Sequence, residues 1–162
     1  MSFIDLDDTD NSPASTWRPD FLIQTDKPVW MKVEVENDGE LKPTKAGDGQ
    51  NLVLKLIIDT GPEVGKFCLA HLLVEGNGSE SHQGAIKRNL TLLRAIVDSA
   101  KGLDASNQSP EAKAQRRLSS FADLDGLRFA AFVRHEHAPN GNWYNRIGKV
   151  LTADMPKYPR PF

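Results

Sequence analysis

Residues 134 to 150 read RHEHAPNGNWYNRIGKV, a span crowded with side chains that can do chemistry. His135 and His137 stand two apart, so on an extended chain both imidazoles point the same way and could share a metal ion. Two ligands do not complete a site. His71 and His82 fall on a different strand and in a loop, and no Asp/Glu cluster or Cys pair stands at ligand spacing. Glu136 points away from the histidines, which weakens it as a general base. The same span offers Arg134, Tyr144 and Arg146, the cations and ring that meet phosphates and stack on bases. The choice is thus between a metal-dependent nuclease and a hairpin that binds nucleic acid.

No other stretch carries a sharper catalytic signature. The glycines of KAGDG and VEGNG do not lead from a strand into a helix, as a phosphate-cradling loop requires, and read as turns. Ser79 and Ser81 have no positioned base. Cys68 is the single cysteine and lies in an apolar run, so it reads as a buried small hydrophobe with no disulfide partner. The expectation is a protein that is not an enzyme and takes no cofactor and no metal.

The elements that must hold these residues follow from periodicity. VWMKVEVE alternates Val29, Met31, Val33 and Val35 against Trp30, Lys32, Glu34 and Glu36, a half-buried strand. After the polar loop NDGELKPTKAGDGQ, NLVLKLIIDT alternates again, and FCLAHLLVEG follows the turn GPEVGK, which completes an antiparallel meander. Ile86, Leu90, Leu93, Val97 and Ala100 then recur at helical spacing, predicting an amphipathic helix from about residue 84 to 101. Ser109 as N-cap, Pro110 and Glu111 open a second, shorter helix on which Ala114, Leu118 and Phe121 share a face. LRFAAFVRHEH and WYNRIGKVL, joined through Asn140-Gly141, form a hairpin. This order predicts a mainly β, five-stranded, OB-fold-like Greek-key barrel with a helical insert between strands three and four. An open α+β sheet with its helices on one face is the other architecture compatible with it.

The chain's 162 residues suit one domain: an acidic, mobile tail over residues 1–27 whose Phe21, Leu22 and Ile23 could dock on the domain, an OB-like body over 28–155 and an irregular tail over 156–162. The net charge of -2 conceals a division, since residues 1–26 hold six of the 22 acids and only one of the 20 bases, so everything after them tips positive. No run has the length of a membrane span, and MSFIDLDDTD lacks the features of a secretory signal, which leads to the expectation of a cytoplasmic protein.

Alternation also assigns faces. With Leu52, Leu54, Leu56, Cys68, Ala70 and Leu72 in the core, Val53, Lys55 and Ile57 face outward with Phe67, Leu69 and His71, on the surface an OB barrel uses for ligands. On the hairpin, Phe129, Val133, Trp143, Ile147 and Leu151 read as core, leaving Arg128, Phe132, Arg134, Tyr144 and Arg146 as a groove wall. Trp30 and Lys32 share the outer face of the first strand, and the loop after it contributes Lys42 and Lys45.

LKPTKAGDGQNLVLKLIIDTGPEVGKFCLAHLLV, the helix IKRNLTLLRAIVDSAKG and the ending DLDGLRFAAFVRHEH…NWYNRIGKV together resemble, over about residues 40 to 150, the phage and prophage DUF669 family of domains. The chain departs from that pattern in its longer helical insert, in Cys68-Leu69-Ala70 and in its acidic N-terminal extension. The resemblance implies an OB-like domain handling single-stranded DNA in phage replication or recombination. Pro161-Phe162 is similar to the tip with which bacterial single-strand-binding proteins recruit partners, although Lys157 and Arg160 stand where acids normally precede it.

The resulting expectation is a single-stranded DNA-binding protein of phage type. Its partners would be single-stranded DNA and phage or host replication and recombination proteins, with homo-oligomers possible and no membrane. The alternative is an OB-like protein-interaction module that recruits a recombinase or replisome component.

Overall fold

The computed structural model describes residues 18–159. The acidic stretch up to Trp17 and the closing Arg160, Pro161 and Phe162 lie outside the described residues. Strands β1 (Val29–Val35), β2 (Lys42–Pro43), β3 (Gly49–Ile58), β4 (Phe67–Gly76), β5 (Arg128–His137) and β6 (Trp143–Leu151) form one sheet, with helices α1 (Glu80–Lys101) and α2 (Pro110–Gln115) between β4 and β5. Every pairing is antiparallel.

The expected strand count and closure need correcting. The sheet has six strands, because Lys42 and Pro43 in the loop after β1 pair with Asn51 and Gln50 of β3. The helical insert therefore follows the fourth strand. The sheet is also open. The order β2-β3-β1-β5-β6, with β4 on the free side of β3, leaves β4 and β6 as edges that share no strand ladder. Side chains cross the gap instead: Asn145 Nδ2 donates to Phe67 O at 3.0 Å, and an Arg146 guanidinium nitrogen donates to Leu69 O at 3.4 Å.

The expected inward faces fill the core. Met31 and Val33 of β1, Leu52, Leu54, Leu56 and Ile58 of β3, Cys68 and Leu72 of β4, and Phe129 and Val133 of β5 are buried together. Ala70 is half-buried against them. Leu22 and Ile23 close one side of the interior. The Ile23 N–H donates to Asn145 Oδ1 at 2.9 Å, and Ile23 O accepts from His135 Nε2 at 2.6 Å. Full burial of one such aliphatic side chain stabilises the fold by ~1.5–3 kcal/mol.

Helix α1 begins earlier than its apolar spacing suggested. The Ser79 hydroxyl accepts from the His82 N–H, and Glu80 lies at the positive helix end, so His82 sits in the first helical turn and not in a loop. Gly102 stops the helix in the left-handed conformation with φ 66°. Leu93, Ile96 and Val97 are buried against the sheet, whereas Leu90, expected on the same face, is 43% exposed. Asp98 is buried with its carboxylate held by Arg116 at 2.6 Å, and Ser99 accepts the Ala130 N–H of β5 at 3.0 Å. Helix α2 starts as expected at the Ser109 cap with Pro110 first, but spans only six residues and buries Ala112, not Ala114. Leu118, in the segment after the helix, and Phe121, in a separate 3-10 turn, Phe121–Leu124, pack against the core.

Candidate nucleic-acid interface

Strand register assembles the outer face. Because Leu54, Leu56 and Ile58 point inward, Val53, Lys55 and Ile57 must point out, and their partners follow. Lys55 lies between Glu34 and Leu69, Ile57 between Lys32 and Phe67, and Val53 opposite His71. Arg128 is the partner of Lys32 on β5, so Arg128, Lys32, Ile57 and Phe67 form one row across four strands. The Lys55 ammonium stands 4.6 Å over the Phe67 ring. A cation so placed is attracted by the negative face of the ring.

The seam between β4 and β6 turns part of this face into a groove. A cavity of about 580 Å³ is lined by Phe21, Val64, Phe67, Leu69, Trp143, Tyr144 and Arg146. A second, of about 310 Å³, shares Leu69 and Arg146 with it and continues past His71, Arg134 and Ile147. Four of the large apolar side chains left exposed, Phe21, Val64, Phe67 and Leu69, border the first cavity and are 52%, 58%, 41% and 45% accessible. The sequence-assigned residues Phe67, His71, Arg134, Tyr144 and Arg146 thus meet along one seam, with Lys55 beside it over the Phe67 ring.

At its β6 wall the Arg146 guanidinium lies 4.6 Å over Tyr144 while its Nε donates to Glu136 at 2.7 Å. That bond holds the Glu136 carboxyl below the ordinary glutamate value, because it favours the charged form. Tyr144 is lowered from its ordinary value by hydrogen bonds from Asn142 and Asn140 at the hairpin tip. Cys68, on the floor of the second cavity, is pushed up to about 12 by burial, which keeps it a thiol.

The remaining assigned residues lie elsewhere on the surface. Trp30 meets Tyr158 edge-on at 5.6 Å, and Arg128 stands 5.6 Å over Trp30 while pairing in bidentate fashion with Asp59. Phe132 lies under the Lys157 ammonium at 5.8 Å. These rings are engaged by their own chain on the β1 and β5 side, and Lys32 links them to the seam along the cross-strand row. Lys42 and Lys45 are exposed at the far end, where Lys42 extends the outer face beside Asn51 and Lys45 sits in the turn closed by Thr44 and Asp48.

Trp143 corrects the face assignment. It shares the inward side with Ile147 but starts β6, beyond the covered interior, so its half-buried ring stacks on His137 at 4.1 Å and 6° and carries Arg18 at 4.6 Å. Asn145 was also missed. Its side chain accepts from Ile23 N and donates to Phe21 O and Phe67 O, tying the incoming chain, β4 and β6 together. Its signal was visible in the sequence: one amide at an inward position between Trp143 and Ile147. Phe21, Val64 and Leu69 had no such signal, since exposure of an apolar side chain depends on what fails to cover it. The two histidines of the opening span are spent on Ile23 O and on Trp143, and among the described residues no group of three or more potential metal ligands gathers.

Comparison with protein-family models and with curated proteins finds no match to this chain. No helix among the described residues is long and apolar enough to cross a membrane.

Proposed function

We propose that the chain is a sequence-tolerant, single-stranded DNA-binding protein of phage type with an OB-like fold, acting in replication or recombination. The fold supports this reading through its connectivity. β1, β3 and β4 form a meander, β5 pairs with β1, β6 pairs with β5, and a helix joins β4 to β5. An OB-fold is a partly open Greek-key barrel of that order, and it binds oligonucleotides on the face and loops that here carry Lys55, Phe67, Lys42 and the β5-β6 hairpin. The DUF669-like motifs point the same way.

The observation that carries the proposal is the pairing of ring with cation on both walls of one groove, Phe67 with Lys55 and Tyr144 with Arg146. Bases of any identity stack on such rings for ~1–3 kcal/mol each, and phosphates find the cations. No metal and no turnover are needed. In a titration with a labelled single-stranded oligonucleotide, affinity falls steeply as salt rises, with a slope of roughly -0.7 per phosphate neutralised. Absence of binding at low salt overturns the proposal.

Val64 and Leu69 favour a second reading, since aliphatic side chains give a base no ring to stack on. An interaction module recruiting a recombinase or replisome component would use them as anchors. Leu69→Ser would then abolish a pulldown, and Tyr144→Ala would leave oligonucleotide affinity unchanged.

A further inference from the structure

The described chain begins on the rim of the groove. The Arg18 guanidinium lies 4.6 Å over Trp143, and Trp143 lines the cavity that Phe67 and Tyr144 share. What precedes Arg18 complements that cavity in two respects. Residues 1–17 carry Asp5, Asp7, Asp8 and Asp10 with no Lys or Arg, and they carry Phe3, Ile4 and Leu6. The groove presents Arg134 and Arg146 beside the uncovered Phe21, Val64, Phe67 and Leu69, and Lys55 stands over the Phe67 ring at its edge. Among the described residues, Lys55 and Arg134 have no carboxylate within ion-pair distance.

From this complementarity we infer that residues 3–10 of the same chain dock in the β4-β6 groove and compete there with single-stranded nucleic acid. The reach is sufficient: a chain spans at most ~3.6 Å per residue, so Asp10, eight residues before Arg18, covers any point within ~29 Å. Intramolecular delivery makes weak contacts count. At an effective concentration near ~1 mM, a segment with a dissociation constant of ~0.1 mM occupies its site about ten times in eleven and lowers apparent affinity for a competitor about ten-fold. Alternating acids and apolar residues satisfy both halves of the groove, whereas an all-acidic segment would leave its apolar walls exposed. Nucleic acid, with more charge and with rings, displaces the segment when it is present in excess. This regulation rests on the groove being the nucleic-acid site, but docking itself is measurable without any nucleic acid.

The test uses the full chain with Ser2→Cys carrying a nitroxide. Cys68 is buried and does not compete for the label. The expected result is paramagnetic broadening of the Phe67, Leu69, Tyr144 and Arg146 amides with none at Lys113. Broadening disappears when Asp5, Asp7, Asp8 and Asp10 are all changed to Asn, and that variant binds a labelled oligonucleotide about ten-fold more tightly at low salt, by the occupancy above. No broadening in the groove, or equal oligonucleotide affinity for the two chains, overturns the inference. Broadening seen when unlabelled, isotope-enriched chain is mixed with labelled, unenriched chain assigns the docked segment to a second copy and overturns it as well. If broadening appears and neither chain binds oligonucleotide, the DNA-binding reading falls and competition with it, while the docked segment stands. If both chains bind equally and nothing broadens, only the inference falls.

Discussion

Phe67 and Tyr144 are each topped by a cation, which keeps a flat ring at the surface without leaving it unpartnered. That arrangement separates stacking from charge. Phe67→Ala and Tyr144→Ala are each expected to cost ~1–3 kcal/mol of oligonucleotide affinity, read by fluorescence anisotropy, while the salt slope stays put. Lys55→Ala should do the reverse, flattening the slope by ~0.7. Arg146 is divided between Tyr144, Glu136 and Leu69 O, so Glu136→Gln releases it and tightens binding at neutral pH. Alternation in the sequence was enough to place all four of these side chains on the outer face. It could not tell that Arg128 would be taken up by Asp59, because that partner arrives from just past the end of β3 by tertiary pairing.

At the scale of elements, the seam depends on Asn145. Removing its amide strips the Ile23 N–H of its acceptor and Phe21 O and Phe67 O of their donors. Asn145→Ala is therefore expected to lower stability by ~1–3 kcal/mol in a denaturant titration and to loosen the segment around Ile23. Acid should weaken the hydrogen bonds of these turns and strands in a defined direction. Asp48, Glu136 and Asp154 all lie below their ordinary values, chiefly because Thr44, Arg146 and Thr152 respectively donate to the charged carboxylates. A carboxyl lowered on folding adds stability fully above its unfolded value and loses it as pH falls through the folded one. Thermal melts should thus hold steady near neutrality and decline below about pH 4, with Thr152→Val removing part of the decline. Strand faces and the capped start of α2 were legible because periodicity and capping are local. The early start of α1 was legible too, in the Ser79-Glu80 pair, but the apolar spacing from Ile86 drew the boundary later.

For the whole molecule, the decisive feature is a sheet whose ends face each other across an unladdered gap. β1, β3 and β5 are paired on both sides, whereas β4 and β6 are paired on one. Amide exchange should accordingly be slowest in the central strands and quicker along the seam edges of β4 and β6, with bound oligonucleotide slowing the seam selectively. Local and periodic signals by themselves determined five of the six strands in their order along the chain, the hairpin, most of the core and the outward placement of rings and cations, since each depends on neighbours within one or two turns of chain. Only the tertiary structure decided that β2 pairs, that the sheet stays open, that Trp143 overhangs the interior and that Phe21, Val64 and Leu69 are left uncovered. Those outcomes turn on which surfaces meet after residues more than a hundred positions apart, such as Ile23 and Asn145, have been brought together. A sequence records which way a side chain points along its strand; whether anything lies opposite it is settled by packing.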